Sequence, residues 1–356
     1  MRINHAMSVY LQGLSTVVPP HALPQDEVAR RAHEILGPRF KGFERLAPVF
    51  DTAGVDCRYS VVPFDWFEGA GGWTDRNARY MEGATALYVD AARQALDAAQ
   101  WEAGEVDVLV TVSSTGIATP TLDAQAKAAM GFRDDALRVP LFGLGCAGGI
   151  GGLNVARELA AANPDAKVLL VVVESCTLSF RKARPKKADI IATILFGDGA
   201  AGVALNGRDS GVRVGRGASK TWDDTLPIMG WEVDEDGLGV VFDRSIPDFV
   251  TAEFRAAADH ALEQLGLAHA DVGRVVSHPG GAKVVDALES SLELGQGTLD
   301  VERDILRDYG NMSAPTVLFV LDRILKRGDA AGSGKPLLAC ALGPGFSAGF
   351  TPIHVA

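Results

Sequence analysis

Near-continuous apolar runs punctuate the chain at Val106–Val112, Val168–Val173, Ala201–Leu205, Val272–Val276 and Leu337–Leu342. Runs with so little polar interruption predict strands buried on both faces. Between them, small and apolar residues recur at helical spacing over Glu82–Ala99, Gly151–Ala162, Val250–Leu265 and Ala314–Arg327, predicting helices with one face against a sheet. The alternation defines a layered α/β protein.

The helix-then-strand segment Ala91–Val110 matches Ala257–Val276 at a constant offset of 166 residues. Ala91, Ala92, Ala95, Leu96, Val106 and Val110 fall on Ala257, Ala258, Ala261, Leu262, Val272 and Val276. The match predicts two related halves, residues 1–208 and 209–356, divided at the polar, glycine-rich stretch Asn206–Thr225. A chain of 356 residues exceeds an ordinary single core and agrees with that division.

The net charge of -11 disfavours a nucleic-acid partner, which requires a basic field. Arg181, Lys182, Arg184, Lys186 and Lys187 form a local exception, readable either as a solvated loop or as a dock for an acidic carrier protein or coenzyme A phosphates. Four cysteines without CxxC spacing suggest neither zinc nor disulfides, and no metal is expected. The N-terminus lacks a signal-peptide pattern and no apolar run is long enough to span a bilayer, so the expectation is a cytoplasmic protein.

Three glycine-rich stretches carry the chemistry: Gly145-Cys146-Ala147-Gly148-Gly149, Ser277-His278-Pro279-Gly280-Gly281 and Tyr309-Gly310-Asn311-Met312-Ser313. Cys146 precedes a predicted helix, whose N-terminal dipole should favour the thiolate and lower the thiol pKa. His278 ends a predicted strand at an abrupt Pro-Gly-Gly breaker, the edge at which open α/β sheets place ligands. None of the other six histidines, among them His5, has comparable surroundings. Asn311 reads most plainly as a turn or N-cap residue, yet with His278 it could supply neutral donors to a developing enolate.

With Leu195-Phe196-Gly197-Asp198-Gly199-Ala200-Ala201 and Gly343-Pro344-Gly345-Phe346, these motifs make the chain resemble the type III polyketide synthases, the chalcone synthase-like condensing enzymes of the thiolase fold. The resemblance spans nearly the whole chain. It implies a five-layer αβαβα fold built from two related halves, and a homodimer without organic redox cofactor or metal. Its substrates would be coenzyme A thioesters: malonyl-CoA as extender, with acyl groups supplied by acyl-CoA or an acyl-carrier protein. By the same resemblance Cys146 carries the chain, His278 stabilises its thiolate, and His278 with Asn311 promotes malonyl decarboxylation.

The resemblance also implies a substrate cavity formed by Phe196 as gatekeeper, Val240 at a second gate position, Ser114, Thr119, Cys176, Ser179, Leu342 and Pro344. Coenzyme A contacts are expected from Gly280, Gly281, Lys283 and Arg58, with Lys41 and Arg45 as further candidates. Val240 and Leu342, smaller than the plant residues, leave more room. Thr119 counts against a naphthalene product, and the stretch Met229–Pro247 resembles the bacterial branch that makes alkylpyrones and alkylresorcinols from fatty acyl starters. Ketoacyl-ACP synthase III, a papain-like Cys-His-Asn hydrolase and an inactive scaffold are the competing readings. A hydroxymethylglutaryl-CoA synthase would need a carboxylate base that this constellation does not show.

Overall fold

The computed structural model describes residues 8–69, 71–328 and 334–356; His5 lies outside them. Strands run side by side in the order Arg274–Ser277, Leu337–Gly343, Ser347–Val355, Val212–Val214, Val9–Val17, Asp198–Asn206, Val168–Ser175, Val108–Val112 and Leu137–Leu141, with Ala218–Thr221 also on Ser347–Val355. The two halves of this sheet join where Val9 and Tyr10 pair with Val214 and Arg213.

Strict alternation along the central strands creates five layers. Val168, Leu170 and Val172 face the middle of the molecule, whereas Leu169, Val171 and Val173 face the long outer helix Trp73–Ala99. In the second half Leu337, Ala339 and Ala341 turn to the same middle core, and Leu338, Cys340 and Leu342 turn to the outer helices Ile246–Gln264 and Ala282–Ser291. Helices Gly148–Ala162 and Thr316–Arg327 fill the middle layer. They cross so closely that a Cβ on Gly149 would stand 2.2 Å from the Ala314 carbonyl oxygen.

The internal repeat is visible in the pairing. Val108 lies parallel to Val168, and Arg274, 166 residues on, lies parallel to Leu337. The partner strand in each half then pairs antiparallel with the next, Asp198–Asn206 or Ser347–Val355. Even the short turns before the paired strands, Ala103–Glu105 and His269–Asp271, keep the 166-residue offset.

All five predicted strands and four predicted helices form, with ends shifted by a few residues except at Trp73, where the outer helix starts well before Glu82. The stretch Asn206–Thr225 is not a plain divider. It carries Val212–Val214, set between Val9–Val17 and Ser347–Val355, and Ala218–Thr221, paired with Ser347–Val355; strands of three and four residues leave no apolar run to read. Strand Val9–Val17 and the hairpin Met229–Asp234/Gly237–Phe242 were not anticipated as elements; both are only partly buried. No helix among the described residues is long and apolar enough to cross a membrane.

Candidate active site

Cys146 sits in a tight turn, Gly145–Ala147, directly before the middle-layer helix Gly148–Ala162. Gly145 adopts φ +47°, and a Cβ there would lie 2.7 Å from Cδ of Pro344, so the thiol turn and the Gly343–Phe346 loop interlock. The expectation of a lowered thiol pKa is reversed. Burial pushes Cys146 up to about 11; hydrogen bonding with Ser313 draws it down, and the nearby Glu174 carboxylate pushes it up. No cation stands among these influences, and a helix N-terminus alone does not outweigh the loss of water.

His278 follows strand Arg274–Ser277, its N–H donating to the Cys340 carbonyl at 3.0 Å. The ring is buried, and among the described residues neither Nδ1 nor Nε2 has a hydrogen-bond partner. Burial lowers its pKa to about 4, leaving a neutral imidazole with both nitrogens free for a substrate.

Asn311 is not a helix cap; Pro315 precedes the helix Thr316–Arg327. Its Oδ1 accepts from the Ser313 N–H at 2.8 Å, while Nδ2 donates to the Gly280 carbonyl at 3.0 Å. The backbone is equally fixed: Asn311 N–H donates to Leu195 O at 2.8 Å, and Gly197 N–H donates to Asn311 O at 3.0 Å. Two distant motifs, at Phe196 and Asn311, thereby cross as a parallel bridge. Gly310, at φ +67°, permits the crossing, since a Cβ would meet Leu195 O at 2.6 Å.

Cys146 lies between two cavities. One contains His278, Asn311, Gly280, Gly281, Lys187, Lys283 and Leu342. The other contains Ser114, Cys176, Phe196, Trp231, Val240 and Pro344. Phe242 borders both and meets Phe196 edge to face at 5.6 Å between ring centroids. Sequence reasoning missed it, although it stands only two residues beyond Val240. Cys176 and Phe196 also border a third, mainly apolar cavity, with Ser179 and side chains such as Val28, Ala32, Phe67 and Ala192 on its wall. Ser179 Oγ donates to the Cys176 carbonyl at 2.7 Å.

Glu174 was missed as well, hidden within an apolar strand. Fully buried, it accepts from Ser114 N–H at 2.9 Å and Thr115 Oγ1 at 2.7 Å, and burial raises its pKa to about 8. Ser114 is thereby held in place, its Oγ accepting from Gly143 N–H at 3.0 Å and its carbonyl from Trp231 Nε1 at 2.9 Å.

Several expectations are corrected. Arg58 is not placed to meet coenzyme A phosphates: it is 1% exposed, and its guanidinium donates to Ile194 O and Gln25 Oε1 beside the apolar cavity. Thr119 is exposed and lines none of the cavities described for this chain. The basic run also disperses. Arg181 is buried in a bidentate pair with Asp234, Lys182 bonds to the Glu68 carbonyl, and Lys186 pairs with Glu232, so these three do not form an open anion dock. Lys187 alone of the run lines the His278 cavity.

The fold and site define a condensing-type enzyme with a buried thiol, a neutral imidazole and a carboxamide at one cavity. Residues 67–209 match the family model for chalcone and stilbene synthases, N-terminal domain, and residues 221–353 match the C-terminal domain. The chain is 36% identical over 345 residues to a 1,3,6,8-tetrahydroxynaphthalene synthase of Streptomyces peucetius subsp. caesius, covering 94% of this chain and 90% of that protein. It is 32% identical over 354 residues to a putative chalcone synthase of Bacillus subtilis, covering 95% and 96%. The solved 1,3,6,8-tetrahydroxynaphthalene synthase of Streptomyces coelicolor superposes with a TM-score of 0.91 at 27% identity, covering 97% of this chain and 99% of that one.

The chain belongs to the chalcone and stilbene synthase family, the type III polyketide synthases. It is an acyltransferase of the kind that builds polyketides by decarboxylative condensation. The papain-like reading is thereby set aside.

Proposed function

We propose that this synthase loads a fatty acyl group from coenzyme A onto Cys146, extends it with malonyl-CoA, and releases an alkylpyrone, alkylresorcinol or related product. The observation that carries the reading is the position of Cys146 between the His278–Asn311 cavity and a chamber that shares Cys176 and Phe196 with an apolar cavity. Apolar walls favour a hydrocarbon tail by roughly 0.8 kcal/mol per buried methylene.

Loading begins with a neutral thiol and a neutral imidazole. His278 takes the Cys146 proton as sulfur attacks the thioester carbonyl; the carbon–sulfur bond to coenzyme A breaks, and the proton leaves on the coenzyme A thiol. In extension, the malonyl carbon–carbon bond breaks, carbon dioxide departs, and the electron pair forms an enolate at the thioester oxygen. That oxyanion is met by the neutral donors His278 and Asn311. The enolate carbon then attacks the Cys146-bound acyl group and releases the thiolate.

Lys187 and Lys283, which line this cavity, suit coenzyme A phosphates, with Gly280 and Gly281 leaving the pantetheine arm room. Arg45, next to the lining residue Leu46, is a further cation for the same group. Because Arg181 and Lys186 are already paired with acids, coenzyme A is favoured over a carrier protein as the acyl donor. A homodimer in the cytoplasm fits the reading. Support for the homodimer is the edge strand Leu137–Leu141, with Leu137 52% and the adjoining Phe142 62% exposed.

The test offers malonyl-CoA with acyl-CoAs of graded length and identifies products by mass spectrometry. Long-chain products are expected; turnover of short or aromatic starters only would refute the fatty acyl assignment.

A further inference from the structure

Helix Asp300–Tyr309 leads through Gly310 to Asn311, and the strand Arg274–Ser277 leads directly to His278. That strand is the last of its sheet, with Leu337–Gly343 on one side and no strand on the other. Parallel pairing turns the His278 N–H to the Cys340 carbonyl and the Ser277 N–H the opposite way, to the open side. A buried edge amide needs an acceptor. Glu302, from the helix, supplies it: Oε1 accepts from the Ser277 N–H at 2.9 Å, and both residues are buried.

A carboxyl is a costly way to meet one amide. Burial raises Glu302 to about 7, so the fold penalises its ionised form, and Oε2 has no hydrogen-bond partner among the described residues. The nearest cation, Arg274, stands 3.8 Å from Oε2 and is engaged by Asp300 at 2.7 Å. Nor does Glu302 act on the imidazole by charge, since burial alone lowers His278. What the carboxyl does provide is a link between two chain segments. Arg274 to Asp300, Ser277 to Glu302 and Gly280 to Asn311 join the strand and turn of His278 to the helix and turn of Asn311. The first tie is half exposed and weak, and the last uses the carboxamide itself. Only the Glu302 tie is buried and free of a reacting group. About two helical turns carry its position to Tyr309.

We propose that Glu302 is a positioning residue for decarboxylation: by holding the Ser277 N–H from the helix that leads to Asn311, it fixes the imidazole and the carboxamide relative to each other, where both meet the enolate oxygen. The proposal rests on the roles given to His278 and Asn311 above. Loading uses His278 and Cys146 without Asn311, so an error in this spacing weighs on decarboxylation more than on acylation. Acid and carboxylate alike keep an oxygen for the N–H, so the property that matters is reach, not charge.

Reach and charge are separated by two variants of the full chain. Glu302→Gln keeps the reach without the charge, and Glu302→Asp keeps the charge but withdraws the acceptor by one methylene. Malonyl-CoA decarboxylation, counted per folded molecule well below the thermal midpoint, should stay within about twofold in kcat for Glu302→Gln and fall about tenfold or more for Glu302→Asp, with KM unchanged in both. Single-turnover acylation of Cys146, followed by intact-protein mass spectrometry, should change far less. Glu302→Met, similar in size and without an acceptor, should repeat the aspartate result and serves in its place if that variant does not fold. A residue that merely stabilises the fold would lower the thermal midpoint and leave kcat intact. That outcome, or a tenfold loss in Glu302→Gln, overturns the proposal. Absence of carbon dioxide release by the unaltered protein would instead sink the polyketide reading beneath it.

Discussion

Asn311 Nδ2 donates to the carbonyl oxygen of Gly280 at 3.0 Å, tying the carboxamide to the turn that follows His278. Residues 31 apart in sequence are thus oriented as one unit, and the second Nδ2 hydrogen is left for the cavity. Asn311→Asp keeps the shape but sets a carboxylate oxygen against that carbonyl and adds negative charge where an enolate would form. Malonyl-CoA decarboxylation should fall by about 10²-fold or more, while single-turnover acylation of Cys146 changes far less. Equal losses in both measurements would contradict a role confined to the enolate.

The apolar cavity should select starter length. Ala192 and Ala32 are buried on its wall, so Ala32→Phe or Ala192→Phe occupies space intended for hydrocarbon. Relative kcat/KM for a long-chain over a short-chain acyl-CoA should drop at least about tenfold, since each lost methylene contact is worth roughly 1 kcal/mol or more. Overpacking also costs about 1–3 kcal/mol, visible in the thermal midpoint, but short-starter turnover should persist. An unchanged length preference would place the tail elsewhere.

Stability should decline between pH 6.5 and 8. Burial raises Glu174 to about 8 and Glu302 to about 7, above the ordinary value of 4.5, so the folded protein binds more protons than the unfolded chain across this range. Such groups stabilise fully at low pH, and their contribution is lost as pH rises towards the folded-state pKa. His278, lowered from 6.5 to about 4, acts oppositely but only below pH 6.5, where the unfolded chain takes up its proton first. Glu174 alone accounts for a loss on the order of 2 kcal/mol from pH 6.5 to 8. Chemical denaturation across this range should show the decline, and Glu174→Gln should flatten most of it.

Gly145→Ala should disrupt the thiol turn without touching the thiol. The new Cβ would lie 2.7 Å from Pro344 Cδ on backbone at φ +47°. A cost of about 1–2 kcal/mol follows from the left-handed conformation alone, before the contact is relieved. Alkylation of Cys146 by iodoacetamide should change in rate as the Pro344 loop moves. An unaltered rate and midpoint would mean that the loop does not fix the nucleophile.

The unanticipated Phe242 and Glu174 mark where reading the chain stops. Phe242 is the half-buried last residue of the hairpin strand Gly237–Phe242, and only its edge-to-face contact joins it to Phe196, 46 positions earlier. Glu174 sits at the end of Val168–Ser175, where one acid after six apolar residues looks like a strand terminus. Only the approach of Ser114 and Thr115 from the neighbouring strand's end makes it a buried carboxyl. Arg58 errs in the other direction: its sequence setting allowed a phosphate contact, and burial removed it.

By itself the sequence determined the layered α/β class, the repeat at 166 residues and the three polar groups at glycine-rich turns, because periodicity and turn chemistry are local. Tertiary structure decided what those groups are. Packing between the two halves buries Cys146 and His278, which pushes the thiol up and the imidazole down and leaves both neutral. It also decided that cations from one basic run pair with acids on a distant hairpin, and that an apolar cavity borders Cys176. Burial and charge pairing depend on contacts across the whole fold, and no stretch of sequence contains them.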